Sequence, residues 1–110
     1  MAVIREASYT VDGSPDALMV CAVRALGDMS CHRFETHGMI VTARTRFNWR
    51  SLGEVMTVAL SEAEAGTTRV SVESRSKMRT VIFDWGANNA NLRRFEKAFK
   101  TRVAALGNPS

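Results

Sequence analysis

Hydrophobic and polar residues alternate along five stretches of the chain, a pattern typical of β-strands that bury one face. In the clearest stretch, Val70 and Val72 face one way while Arg69, Ser71 and Glu73 face the other. Short turns join the last four stretches, which favours an antiparallel meander. The predicted strands cover residues 3–11, 30–36, 39–47, 54–61 and 67–78.

Two further stretches have apolar residues at helical spacing. The first is predicted to begin with Ser14 as its N-cap and Pro15 in its first turn, and to close at Gly27. The second is predicted to run from an N-cap at Asp84 to Leu106. The apolar stripe of this second helix comprises Leu92, Phe95, Phe99, Val103 and Leu106.

The resulting order is β-α-β-β-β-β-α, which predicts one α+β domain over residues 1–110. Each helix has a single apolar stripe, so both are expected to pack on the same face of an antiparallel sheet of about five strands. Asn88 lies on the stripe of the last helix. We expect its amide to bond to the backbone of the preceding turn.

The net charge is confined to the end of the chain. Residues 1–92 contain ten basic and ten acidic side chains, and residues 93–110 carry the whole net charge of +4. The far side of the last helix forms a basic face, which a solvated helix surface explains most simply and for which nucleic-acid binding is the alternative. The basic face comprises Arg93, Arg94, Lys97 and Lys100.

Residue types that carry chemistry form no recognisable motif. Cys31, His32 and His37 are close in sequence, but an odd spacing sends His32 and His37 to opposite faces of a regular strand. There is no nucleophile elbow and no glycine-rich phosphate loop. We therefore expect no catalytic residue, no metal and no cofactor, and hence no enzyme. Cys21 and Cys31 are expected to be buried free thiols in a cytoplasmic protein.

Most of the chain resembles a known structural class. The resemblance rests on the strand segments 38–43 and 70–74 and on Asp84-Trp85-Gly86 with Asn88 and Asn91. These features resemble the TBP-like and helix-grip class and small uncharacterised bacterial domains. The resemblance implies a curved antiparallel sheet around a long C-terminal helix, with a small apolar ligand between them. The methionines are most simply core residues. If a cleft exists, it would be lined by Met39, Met56, Met78, Phe95 and Phe99.

The function hypothesis that follows is a non-enzymatic interaction module, self-associating through the outer face or an edge strand of the sheet. An apolar-ligand carrier and a nucleic-acid binder using the basic face are the alternatives. No apolar run approaches the ~18 residues needed to span a membrane. The N-terminus lacks the charged start and apolar core of a signal peptide, so we expect none.

Overall fold

A computed structural model describes residues 4–46, 53–76 and 87–106. Their elements follow the predicted order. They are β1 (Ile4–Asp12), α1 (Pro15–Asp28), β2 (His32–His37), β3 (Ile40–Arg44), β4 (Glu54–Glu62), β5 (Thr67–Ser76) and α2 (Ala87–Leu106).

The five strands form one antiparallel sheet in the order β1-β5-β4-β3-β2. Strands β2 to β5 are the predicted meander, and β1 pairs with β5 at its far side. The ends of β1 and β5 are tied together where Gly13 N donates to Gly66 O at 2.8 Å. Gly66 has a φ of 83°, a conformation in which glycine alone avoids a steric penalty. The fold is therefore α+β, as predicted.

Both helices cover the same face of the sheet, and the core lies between them and the strands. The inward residues of β3, β4 and β5 are buried as their alternation predicted. Phe95 and Phe99 of α2 are 0% exposed, and their rings stack at a centroid distance of 5.4 Å. Leu106, which was predicted to continue the apolar stripe, is instead 53% exposed. The last turn of α2 thus extends past the core.

Helix α1 begins as predicted but ends later. Ser14 Oγ accepts from Ala17 N at 3.3 Å, and Pro15 occupies the first turn. The predicted end at Gly27 is wrong, because the helix continues to Asp28 and the left-handed residue is Ser30, with a φ of 65°. Cys31 N then donates to Leu26 O at 3.0 Å. This is the Schellman closure of a helix, made here without glycine.

A β-bulge changes the faces of β2. His32 pairs with Arg44, but the next regular pair is Glu35 with Thr42, and Arg33 has a φ of 57°. The extra residue shifts the alternation by one position. His37 pairs with Ile40, which shares the outward face of Arg44. The prediction that His32 and His37 point to opposite faces is therefore wrong.

Candidate functional site

The residues predicted to line an apolar cleft differ in how deeply they are buried. Met56, Phe95 and Phe99 are all 0% exposed and belong to one core, against which Met39 packs while partly buried. Met78 lies outside the described residues. The three buried side chains belong to the core between the sheet and the helices, where the cleft was expected. Here they are packed core residues.

The basic face lies on the side of α2 that points away from the core. All four of its residues are exposed. Lys100 Nζ lies 2.7 Å from Glu96 Oε2, the i,i+4 pair that favours a helix, and 5.9 Å from the centroid of the Tyr9 ring. Arg93, Arg94 and Lys97 complete the face, whereas Arg102 pairs with Asp28 of α1 at 2.7 Å. Asp84, the predicted N-cap, lies outside the described residues.

Polar side chains are buried together where α2 begins beside the ends of β4 and β5. None is more than 7% exposed. Two come from the first turns of α2 and three from inward positions of the sheet, where Glu54 pairs with Ser76 and Met56 pairs with Ser74. We call this group the buried polar cluster. It consists of Glu54, Ser74, Ser76, Asn88 and Asn91.

Hydrogen bonds link the members of the buried polar cluster into one network. Ser74 Oγ donates to Asn88 Oδ1 at 2.6 Å, and Asn88 Nδ2 donates to Ser76 Oγ at 3.0 Å. Asn91 Nδ2 donates to Ser74 Oγ at 3.1 Å and to Glu54 Oε1 at 2.8 Å. Such bonding is what makes the burial of polar groups tolerable. The network therefore fixes how α2 is seated on the sheet.

The side chain of Asn88 bonds to Ser74 and Ser76 of β5, which lie outside its own helix. Its expected bond to the preceding turn stays a prediction, because residues 77–86 lie outside the described residues. A sequence signal for the cluster existed. Ser74, Ser76 and Glu54 occupy inward positions of their strands, and Asn88 and Asn91 are three apart on the face of α2 that carries the core residues. Polar residues at core positions of two elements that must pack together indicate contact between them.

Glu54 is held from its other side by Thr45. Glu54 N donates to Thr45 Oγ1 at 2.7 Å, and the same hydroxyl donates to Glu54 Oε1 at 3.1 Å. The Glu54 carboxyl oxygen Oε1 thus accepts from a hydroxyl and an amide together. This places the one acidic group of the buried polar cluster in a fixed position facing α2.

Both cysteine thiols are buried, and their raised pKa values make them poor nucleophiles. Both are free. Burial raises the pKa of Cys31 to about 11, outweighing the nearby Arg94 and Arg46 charges, and burial also raises the pKa of Cys21. A thiol with a raised pKa stays protonated near neutral pH and is a poor nucleophile. The prediction of buried free thiols is confirmed.

Tyr9 has a buried hydroxyl that finds no hydrogen-bond partner within the described ranges. Burial and, to a smaller extent, the negative charge of Glu96 raise the pKa of Tyr9 well above its usual range. Its ring lies 6.3 Å from that of Phe99, so the residue serves chiefly as an aromatic part of the core. Among the residues the structure describes, no group of three or more His, Cys, Asp and Glu side chains is placed to hold a metal ion.

Two depressions that described residues line both open on the outer face of the sheet. One has a volume of about 450 Å³ and lies over β1, β5 and β4, between Glu6, Thr57 and Glu73. The other has a volume of about 390 Å³ and lies over β2, β3 and β4, between Glu35 and Arg44. Phe34, 39% exposed, stands at the second depression. Acidic and basic groups thus flank the concave parts of this face.

Comparison with known proteins gives a fold and no family. No family model matches the chain, and no curated protein matches it. The crystal structure of Ara h 8.0201 is similar, with a TM-score of 0.50 and 12% identity over 94% of this chain and 99% of that chain. Ara h 8 has the Bet v 1-like, helix-grip fold. The helix-grip part of the predicted resemblance is confirmed, and the bacterial origin stays a prediction. In the described parts of the chain, no helix is long and apolar enough to cross a membrane.

Proposed function

We propose that the chain is a non-enzymatic binding module that holds a small amphipathic molecule between the sheet and α2, its polar end on the buried polar cluster. The buried polar cluster is the observation that carries this proposal. Apolar residues of similar volume would join a helix to a sheet without the cost of desolvating a carboxyl group, two amides and two hydroxyls. Retaining them inside a helix-grip interface is more readily explained by recognition than by stability.

The surroundings of the cluster suggest the chemistry of the molecule. Ser74 pairs with Met56 across the sheet, and Phe95 follows Asn91 by one helical turn. A molecule whose polar end replaces one hydrogen bond of the cluster would therefore lie with its apolar part against Met56 and Phe95. Both are fully buried, so binding requires repacking, which the unbranched methionine side chain allows. A hydroxyl group, both donor and acceptor, suits the mixture of carboxyl, amide and hydroxyl partners.

Two observations favour binding over catalysis. The hydroxyl of Ser74 donates to an amide oxygen, which does not accept a proton as a catalytic base does. The raised pKa values of Cys21 and Cys31 oppose thiolate formation. The proposed module therefore returns its ligand unchanged. Its cytoplasmic location stays a prediction.

Titration of the ¹⁵N-labelled protein with 1-octanol tests this proposal. We expect saturable shifts of the side-chain amide signals of Asn88 and Asn91, while the exposed Asn89 amide in the same turn serves as the internal control. Ser74→Ala should weaken binding about fivefold, since a lost hydrogen bond costs about 1 kcal/mol. Octanoate should bind more weakly because its charge faces Glu54. Equal responses of Asn89 and Asn91, or none, would contradict the proposal.

Nucleic-acid binding by the basic face is a second candidate, favoured by the exposure of all four cations. Because Lys100 is already paired with Glu96, about three charges are available, so we expect weak binding with a log–log salt slope of about −3 on duplex DNA. Fluorescence anisotropy with a labelled duplex measures the slope. Lys97→Glu should lower the affinity and Arg24→Glu on α1 should not. A salt-independent signal would remove this candidate.

A further inference from the structure

The outer face of the sheet carries its charges in rows. Directly paired residues of an antiparallel sheet point to the same side, so the strand register gives the order of side chains across the face. Within the described strands, one row contains arginines on β3 and β5 and no carboxylate. We call it the basic row. It consists of His32, Arg44, Val55, Arg75 and Ile4.

The neighbouring row lies about 7 Å away, two residues along β1, β3, β4 and β5 and three residues along the bulged β2, and it has the opposite charge. It carries carboxylates on three of the five strands. We call it the acidic row. It consists of Glu35, Thr42, Thr57, Glu73 and Glu6. Charges of opposite sign are therefore separated into parallel stripes, whereas a face that only needs solvation has no reason to sort them.

We propose that this face docks a second copy of the chain, with the acidic row of each copy on the basic row of the other. A two-fold axis that runs parallel to the rows and midway between them produces this match. Each strand then crosses the same strand of the second copy, and Glu73 of one copy faces Arg75 of the other. The same axis places Glu35 near Arg44 of the second copy.

Charge complementarity selects this arrangement over its alternative. A two-fold axis parallel to the strands would put the acidic row on itself, with like charges opposed. Within one copy, Arg75 Nε already lies 3.4 Å from Glu73 Oε1, and the two side chains are 51% and 29% exposed. Docking converts two such pairs into a ring of four alternating charges. Such a network is worth more than isolated surface pairs.

The size and composition of the face fit a dimer. Three strands of about 30 Å and two of about 17–20 Å, at a spacing of about 4.8 Å, give a face near 600 Å² in projection, at the low end of the ~600–1,000 Å² that each partner buries in a specific complex. Val55 lies within the basic row, and Ile40 pairs with Ala59 in the next row beyond the acidic row. These residues add apolar area beside the charges. Sheets packed face to face keep their strands within about 30° of alignment, which this axis permits.

Three variants test the pairing by sedimentation velocity over a range of concentrations. The wild-type chain is expected to dimerise, with weaker association at higher salt. Arg75→Glu alone and Glu73→Arg alone should each weaken self-association at least tenfold. A one-to-one mixture of these two variants should dimerise again, because an acidic and a basic face then meet. The double variant with both substitutions should also recover, since exchanging the signs preserves the match.

Arg24→Glu, an exposed change on α1, is the matched control and should leave association unchanged. Thermal unfolding checks that each variant folds, which the exposure of Arg75 favours. A wild-type chain that stays monomeric at every concentration overturns the proposal. A dimer insensitive to the single reversals also overturns it and points to an edge strand. Failure of both the mixture and the double variant overturns the proposed pairing of rows. None of these outcomes bears on ligand binding at the buried polar cluster.

Discussion

Replacing Phe99 with alanine is expected to lower the free energy of unfolding by about 3–5 kcal/mol, the range for large-to-small changes at buried aromatic positions. Phe99 is 0% exposed and lies between the rings of Phe95, at 5.4 Å, and Tyr9, at 6.3 Å. Its removal leaves a cavity where α2 meets the sheet, and it also removes both aromatic contacts. Urea denaturation followed by circular dichroism measures the loss.

Leu106→Ala is the matched control on the same helix. Leu106 occupies a position of the same predicted stripe but is 53% exposed, so its truncation should change stability by less than about 0.5 kcal/mol. A loss below about 1 kcal/mol for Phe99→Ala, or equal losses for the two variants, would mean that the apolar face of α2 is packed differently from the structure described above.

Asn88→Ala is expected to cost about 2–4 kcal/mol, because it removes the partner of two buried hydroxyls at about 1–3 kcal/mol each. Ser74 loses the acceptor at 2.6 Å and Ser76 loses the donor at 3.0 Å. The better helix propensity of alanine offsets only about half a kcal/mol. The same denaturation experiment provides the measurement.

The neighbouring asparagine supplies the control. Asn89 is exposed, so Asn89→Ala should be neutral or slightly stabilising. Combining Asn88→Ala with Ser74→Ala gives a double-mutant cycle, in which direct contact predicts a coupling of about 0.5–3 kcal/mol. If the two variants add without coupling, the hydrogen bond between these side chains does not contribute to stability.

The architecture was predictable because local patterns and tertiary burial agree. Met56, Val58 and Leu60 alternate with outward residues in sequence and are at most 4% exposed in the structure. Phe95 and Phe99 followed from helical spacing in the same way. Where residues between two turns have a clear period, the buried face is determined before the partner element is known.

The buried polar cluster was only partly predictable. The sequence alternation indicated that Ser74 and Ser76 face inward, and the helical spacing placed Asn88 on the apolar stripe. Which polar groups bond to one another depends on how α2 is seated on the sheet, a tertiary relation that no single segment encodes. Local reasoning therefore considered only the turn next to Asn88, and it did not anticipate the bonds to Ser74 and Ser76, which lie 14 and 12 residues away.

The two errors in element geometry have local causes. Ser30 takes the left-handed conformation that glycine was expected to supply at the end of α1. Arg33 takes a similar conformation inside β2 and displaces the following residues by one position. Neither serine nor arginine favours a positive φ, so these backbone conformations could not be predicted from the residue types. An unexpected backbone conformation at one residue thus reversed the face assignment of His37.

The pairing of β1 with β5 has a consequence for the order in which the chain folds. Tyr9 and Val70, about 60 residues apart, are directly opposite, whereas the connections between strands β2 to β5 are two, nine and four residues long. Loop-closure entropy makes the long connection about 2 kcal/mol less favourable than a five-residue turn. Strands β2 to β5 are therefore expected to pair before β1 joins them, and topology of this kind slows folding. During synthesis β1 emerges first, yet it stays without its partner until β5 has followed.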